Sequence, residues 1–156
     1  MAAQRRLGHH KSAEESPKEV WGFRETARGN GFLDTFDSVA SAERAVGKLI
    51  LNKLGMGEKT RDDGTVKRRF IWDLRESEVN RAVYLGERVV LPRLEDAADN
   101  LRDLQRLSAP GDQLRMLVLD ISDAFHQVPL HPEERRLHAA LVGGVPVVYR
   151  CLVFGS

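Results

Sequence analysis

The dipeptide Asp63-Gly64 constrains the fold of this chain more than any other feature, because it stands between two basic arms that extend from Lys59 to Arg69. Asp-Gly in this setting is a strong signal for the tight turn of a β-hairpin. A second turn signal, Gly143-Gly144, precedes an apolar run from Val145 to Phe154. We therefore predict an antiparallel hairpin around Asp63-Gly64 and a hairpin turn at Gly143-Gly144, with the run after Gly144 as a strand. The segment before that turn, Glu133 to Leu141, could begin as a helix.

One apolar pattern predicts an amphipathic helix of about four turns. Its apolar side chains recur at steps of three and four residues from Val39 to Leu54. Asp37 or Ser38 can cap the beginning of this helix, and Gly55 with Gly57 is expected to end it. We interpret the helix as a packing element.

Three further elements follow along the chain. Leucine and alanine residues at helical spacing predict a second amphipathic helix from Leu94 to Leu107. Arg115 to Asp120 is predicted as a strand, and its apolar run from Met116 to Leu119 indicates burial on both faces. Ala124 to Gln127 is typical of a short helical turn. Together with the hairpins, these elements predict an α+β fold.

Composition excludes several classes of protein. Of the 156 residues, 42% are hydrophobic and 30% are charged, which argues against a disordered, collagen-like or membrane-spanning chain. No apolar run approaches the ~18 residues of a membrane span. The one cysteine, Cys151, excludes an internal disulfide bond and predicts a packed thiol. We expect an intracellular chain, and the cytoplasm and the nucleus both remain open.

The charge of the whole chain indicates no partner, because 24 Lys and Arg residues face 23 Asp and Glu residues. Residues 59 to 75, in contrast, carry a net positive charge. They hold six cations and three anions, namely Lys59, Arg61, Lys67, Arg68, Arg69 and Arg75 against Asp62, Asp63 and Asp73. This local excess of positive charge predicts a phosphate-bearing partner.

The chain divides into four predicted regions. Residues 1–17 carry almost no large apolar side chains, so we expect a flexible tail in which His9 and His10 are solvated rather than bound to a metal. The other regions are a helical N-terminal region, a basic hairpin with a linking helix, and a C-terminal region that contains the predicted strand: 18–58, 59–111 and 112–156.

The most informative stretch runs from Leu119 to His131. A carboxylate at the exit of a buried strand, as predicted for Asp120, is held rigidly and suits a hard divalent cation with oxygen ligands. Asp123 follows within one helical turn. The alternative is that Asp120 or Asp123 merely caps the short helical turn that begins near Ser122.

The order of several motifs resembles the fingers and palm of reverse transcriptases from retroviruses and retrotransposons. Asp120 to Leu130 is similar to the palm motif in which a strand ends in Asp and continues x-x-D-A-[FY]-x-x-[IV]-P-L. Tyr149 to Gly155 is similar to a later palm strand. Upstream, Asp63 to Asn80 resembles the fingers signature, and Leu91 to Leu94 resembles the segment that enters the palm.

The resemblance implies a polymerase-type α+β fold, with fingers and part of a palm. It also implies templated DNA synthesis by two-metal phosphoryl transfer. In that family Asp120 corresponds to the first catalytic carboxylate, which binds both Mg²⁺ ions. The backbone carbonyl of Ile121 corresponds to a ligand of one of these ions.

Nucleotide-binding roles are implied in the same way. Arg69 matches the fingers arginine that grips the phosphates of the incoming nucleotide, for which a planar fork of donors is well suited. Asp123 and Ala124 would offer backbone N–H groups to the triphosphate.

Three more residues have implied contacts with the nucleotide. Phe125 matches the aromatic side chain that lies beneath the sugar and excludes a 2′-hydroxyl, although a core aromatic is the alternative. Phe154 and Gly155 match the start of a turn that contacts the nucleotide and the template. Many retroviral members have Gln where this chain has Phe154, which is closer to retrotransposon members.

The implied partners are an RNA or DNA template-primer and dNTPs, without a membrane. The later Asp-Asp hairpin of the family has no counterpart in these 156 residues. We therefore expect a truncated polymerase whose two-metal site is incomplete and which is inactive alone. The alternative is a non-catalytic remnant of a retroelement that binds nucleic acid through its basic hairpin.

Overall fold

The structure is a computed structural model that describes residues 8–84, 86–87 and 90–155. Described residues form two units, one of residues 8–83 with 123–155, and one within residues 84–122. The architecture is mixed α+β with antiparallel sheets, as predicted. The helices and strands are α1 (Lys11–Glu14), α2 (Pro17–Gly29), β1 (Leu33–Thr35), α3 (Val39–Val46), β2 (Lys53–Thr60), β3 (Val66–Asp73), α4 (Val79–Ala82), α5 (Leu94–Leu107), β4 (Ala139–Val142) and β5 (Val145–Tyr149).

Strands β2 and β3 form the predicted basic hairpin. They pair antiparallel from Thr60 opposite Val66 to Lys53 opposite Asp73. Gly64 adopts a left-handed backbone with φ 81°, which glycine reaches at little cost. The hairpin prediction is confirmed, although the first strand begins at Lys53 and is longer than the basic arm.

A second sheet has three antiparallel strands in the order β1-β5-β4. Gly143 and Gly144, with φ 57° and 81°, form the predicted turn between β4 and β5. Strand β5 ends at Tyr149, short of the predicted Phe154. Beyond it, Cys151 makes only an isolated bridge with Pro129.

Helix α3 is shorter than the helix predicted from Val39 to Leu54. Ser38 caps its beginning, with the Ser41 N–H donating to the Ser38 hydroxyl at 3.1 Å, so one of the two proposed caps is confirmed. The helix ends at Val46, because Gly47 has φ 89° and leaves the helical region. Leu54 belongs instead to β2, where it is fully buried.

The flexible tail predicted over residues 1–17 is wrong from residue 8 onward, and residues 1–7 lie outside the described residues. The His10 N–H donates to the Leu54 carbonyl at 2.9 Å, and helix α1 then buries Ala13. His9 is also bonded, with Nε2 2.6 Å from the Leu141 carbonyl oxygen. The segment folds because backbone and imidazole hydrogen bonds supply the contacts that its few apolar side chains do not.

The unit within residues 84–122 contains helix α5 over the predicted range. The strand predicted from Arg115 to Asp120 is absent from the described structure, and the side chains from Met116 to Leu119 are 70–81% exposed. An apolar run becomes a buried strand only when a neighbouring strand accepts its hydrogen bonds. None of the described strands pairs with this run.

The core of the larger unit lies where both sheets meet α2. Trp72 of β3 is 2% exposed and packs edge-to-face against Tyr149 of β5, with ring centroids 4.9 Å apart. Phe23 of α2 stacks on Phe70 of β3 at 5.7 Å. Within the described part of the chain, no helix has the length and apolar character needed to cross a membrane.

Candidate functional site

A cavity of about 320 Å³ lies within the larger unit. Helix α2 and the residue after it, strand β3, the turn that begins at Asp123, and the chain just beyond β5 line it together. Much of its lining is aromatic or histidine: Phe23, Phe32, Phe70, Trp72, Phe125, His126, Tyr149 and Phe154. Such a lining suits a flat, partly apolar ligand.

Three consecutive cations of β3 form the charged wall of this cavity, namely Lys67, Arg68 and Arg69. Arg68 is already neutralised, because its Nε lies 2.7 Å from Glu58 and its Nη1 lies 3.4 Å from Glu19. The hydrogen bond that Arg68 donates to the Glu58 carboxylate raises the pKa of Arg68. Arg69 has no carboxylate partner among the described residues, and its charge is available to a ligand.

The turn opposite this wall begins at Asp123, whose backbone has φ 52°. A 3₁₀ turn follows over Ala124–Gln127, which confirms the predicted helical turn. Asp123 occupies the capping position, but its side chain makes no capping hydrogen bond. The alternative in which the Asp123 side chain caps this turn is therefore not supported. The Asp123 carboxylate is exposed.

His126 lies in the wall between two aromatic rings, stacked on Phe32 at 4.6 Å and on Tyr149 at 5.7 Å. Burial lowers the pKa of His126, and the opposing charge of Asp123, whose Oδ1 is 3.9 Å from Nδ1, only partly offsets this. The imidazole is therefore neutral near pH 7. Its Nδ1 and the indole Nε1 of Trp72 are buried and have no hydrogen-bond partner in the described structure.

Two phenylalanines in the lining of the cavity contact each other. The Phe125 and Phe154 rings pack edge-to-face with centroids 5.6 Å apart, and the guanidinium of Arg69 lies 5.4 Å from the centroid of Phe154. Phe125 is 43% exposed, so the alternative of a core aromatic is wrong.

The structure thus brings together five of the residues predicted to contact a nucleotide: Arg69, Asp123, Ala124, Phe125 and Phe154. Gly155 follows directly, but its contacts are structural, because its backbone carbonyl accepts a hydrogen bond from Asn80 Nδ2 at 3.1 Å. Asp120 and Ile121 belong to the other unit, where both are exposed and outside any helix or strand. The buried strand expected to hold Asp120 rigidly is not observed.

The donor set implied for two Mg²⁺ ions does not assemble in the part of the chain that the structure describes. Only one group of three metal-ligating side chains is found there, and it contains neither Asp120 nor Asp123. A single implied carboxylate, Asp120, cannot hold two ions that share oxygen ligands. We therefore derive no catalytic step from these residues.

Sequence reasoning missed the contribution of helix α2. Phe23, Thr26 and Ala27 line the cavity, and Asn30 follows at the end of the helix. The signal was present, because Pro17 at the first turn precedes Val20, Phe23 and Ala27 at steps of three and four residues. Cys151, by contrast, is buried as predicted, and burial raises the pKa of its thiol.

Comparison with models of protein families gave no match for this sequence, and comparisons with curated proteins and with solved structures gave none either.

Proposed function

We propose that this chain comprises the fingers and N-terminal palm of a reverse transcriptase, and that its cavity binds a deoxynucleoside triphosphate. One observation carries the proposal: Arg69 and the 123–125 turn, far apart in sequence, line the same cavity with Phe154. The sequence motifs indicate each of these positions independently of its distance from the others in space.

The chemistry of the cavity suits a nucleotide. Arg69 offers a planar set of N–H donors that is not neutralised by a carboxylate, as phosphate recognition requires. The aromatic lining offers flat surfaces to a sugar and a base. A volume of about 320 Å³ lies at the small end of ordinary ligand pockets, which commonly have ~300–1,000 Å³.

Two buried polar atoms of residues that line the cavity have no hydrogen-bond partner among the described residues. The indole Nε1–H of Trp72 is a donor, and the neutral imidazole of His126 presents Nδ1 as a donor or an acceptor. Leaving buried polar atoms unpaired destabilises the fold by about 1–3 kcal/mol each.

A titration with dNTPs followed by NMR of the two indole N–H groups tests the proposal. Trp72 lines the cavity, whereas Trp21 packs against the Arg24 guanidinium and does not line it. We expect dNTP to shift the Trp72 signal and to leave the Trp21 signal in place. If inorganic phosphate alone shifted the Trp72 signal to the same extent, the cavity would recognise an anion rather than a nucleotide.

Two arginine variants separate the cavity from general electrostatics. Arg69→Gln should weaken dNTP binding at least about tenfold, since a charge-assisted hydrogen bond contributes about 1.5–3 kcal/mol. Arg61→Gln removes the same charge near the hairpin turn, outside the cavity, and should leave binding unchanged. Equal losses in both variants, or no shift of Trp72 with dNTP, would contradict the proposal.

A second candidate, binding of nucleic acid by the hairpin surface, has its own supporting observation. Lys59 and Lys67 stand directly opposite each other on β2 and β3, and neither has a carboxylate partner among the described residues. Like charges in that arrangement destabilise a hairpin. A polyanion would relieve this repulsion.

A further inference from the structure

His10, Asp73 and Glu76 form a cluster of ligand atoms on the larger unit, away from the cavity described above. One ligand atom from each residue lies within 4.8 Å of the other two. His10 Nε2 is 2.8 Å from Asp73 Oδ2. The three residues come from two separate parts of the chain, since His10 precedes α1 while Asp73 ends β3 and Glu76 follows it by three residues.

Backbone contacts hold each member of the cluster in place. The His10 N–H donates to the Leu54 carbonyl at 2.9 Å, which anchors the imidazole beside the hairpin. Asp73 Oδ1 accepts N–H groups of Arg75 at 3.1 Å and Glu76 at 2.9 Å. These bonds fix the carboxylate and leave its Oδ2 directed at His10.

The surroundings leave space for further ligands. An open cavity of about 400 Å³ lies against His10 and Asp73, with Ser12 and Arg75 also in its lining. Water molecules in this space can complete a coordination shell. One opposing charge is present, because Lys53 Nζ lies 2.7 Å from Glu76 Oε1.

We propose that His10, Asp73 and Glu76 bind a divalent transition-metal ion of the Zn²⁺, Co²⁺ or Ni²⁺ class. One imidazole nitrogen and two carboxylate oxygens are a donor set that these ions accept. Mg²⁺ is disfavoured, because it prefers oxygen ligands only. The bound ion ties the segment before α1 to the end of β3, and so links metal binding to folding.

Titration calorimetry with Zn²⁺ and with Mg²⁺, together with thermal unfolding, tests this site without nucleotide. We expect Zn²⁺ to bind and to raise the melting temperature, and EDTA to reverse the increase. Co²⁺ should give visible absorption bands when it binds the imidazole and carboxylates. No Zn²⁺ binding, or equal binding of Mg²⁺, would overturn the proposal.

Variants locate the site on the cluster. Glu76→Gln should weaken Zn²⁺ binding at least tenfold, whereas His131→Ala, at an exposed histidine elsewhere, should not change it. Adventitious binding to the His9-His10 pair would instead leave Glu76→Gln at wild-type affinity, and that result would refute the site. Lys53→Gln removes the positive charge beside Glu76 and should tighten Zn²⁺ binding several-fold. A misfolded variant would not bind more tightly. Unchanged or weaker Zn²⁺ binding would contradict the proposed role of Glu76 as a ligand.

Discussion

Gly155 lies against the backbone carbonyl of Trp72, so closely that a Cβ atom at position 155 would overlap the oxygen. The contact is reinforced by a hydrogen bond of 3.0 Å from the Trp72 N–H to the carbonyl of the preceding residue, Phe154. Gly155 also has φ 122°, a conformation that residues with a side chain rarely adopt.

Gly155→Ala should therefore lower the free energy of unfolding by more than the cost of the backbone conformation alone, which is about 1–2 kcal/mol. Gly64→Ala is the matched control, because φ is 81° there and nothing lies within 4 Å of an added Cβ. Urea unfolding of both variants measures the difference. Equal destabilisation would show that the chain at 155 moves away from Trp72 without penalty.

The elements that could be predicted from the sequence are those specified by local chemistry. Asp63-Gly64 and Gly143-Gly144 determine turns through backbone conformations that few other residues accept. Ser38 caps α3 through a bond to a residue three positions away. In each case the deciding contact lies within a few residues of the motif.

The elements that could not be predicted depend on distant partners. Leu54 fits the spacing of a helix, yet it is buried opposite Trp72 in the hairpin. The run from Met116 to Leu119 has the composition of a buried strand and no strand partner among the described residues. The cavity was predictable in part, because motifs indicated Arg69 and Phe125, but the wall from α2 required the fold.

Asn52 provides a second prediction, because its buried amide connects three backbone carbonyls. Its Nδ2 donates to Leu137 at 2.8 Å, to Ala139 at 3.0 Å and to Ile50 at 3.3 Å. Asn52→Asp would place a carboxylate against the same oxygens. Burial and repulsion would raise the pKa of that carboxyl in the folded state.

The sign of the resulting pH dependence follows from linkage. A carboxyl whose pKa is raised on folding favours the unfolded state increasingly as the pH rises above its unfolded value of about 3.9. Asn52→Asp should thus lose stability from acidic to neutral pH relative to Asn52→Ala, which does not titrate. Chemical unfolding of both variants across this pH range measures the difference in stability. If the free energy of unfolding changed with pH in the same way in both variants, the prediction would be wrong.

For His138 we predict that stability is lost as the pH falls, which is the opposite of the change predicted for Asn52→Asp. It is 6% exposed, and burial lowers its pKa below the ordinary 6.5. The unfolded chain therefore takes up the proton first, and stability is lost as the pH falls through 6.5 toward the lower folded value. Burial lowers the pKa of His126 as well, so the loss has more than one source.

Replacing His138 with Phe isolates its share of this effect, since Phe keeps the ring and cannot be protonated. We expect a smaller loss of stability below pH 6.5 in His138→Phe than in the wild type, measured by thermal unfolding at successive pH values. His131→Gln, at an exposed position, should follow the wild-type profile. If His138→Phe lost stability below pH 6.5 as steeply as the wild type, groups other than His138 would be responsible for the acid sensitivity.

Lys59 and Lys67 stand opposite each other in the hairpin. Replacing one of them should therefore raise the stability of the hairpin and weaken its binding to nucleic acid. Lys59→Glu converts the repulsive pair with Lys67 into an attractive one, which should stabilise the hairpin by about 0.2–1 kcal/mol. The same change should weaken binding of single-stranded DNA and reduce the slope of log affinity against log salt by about 0.7 or more. Lys48→Glu applies the same charge change at an exposed site after α3, outside the hairpin, and should alter binding much less. Fluorescence anisotropy over a range of salt concentrations compares them, and equal losses in the two variants would mean that DNA responds to net charge rather than to this surface.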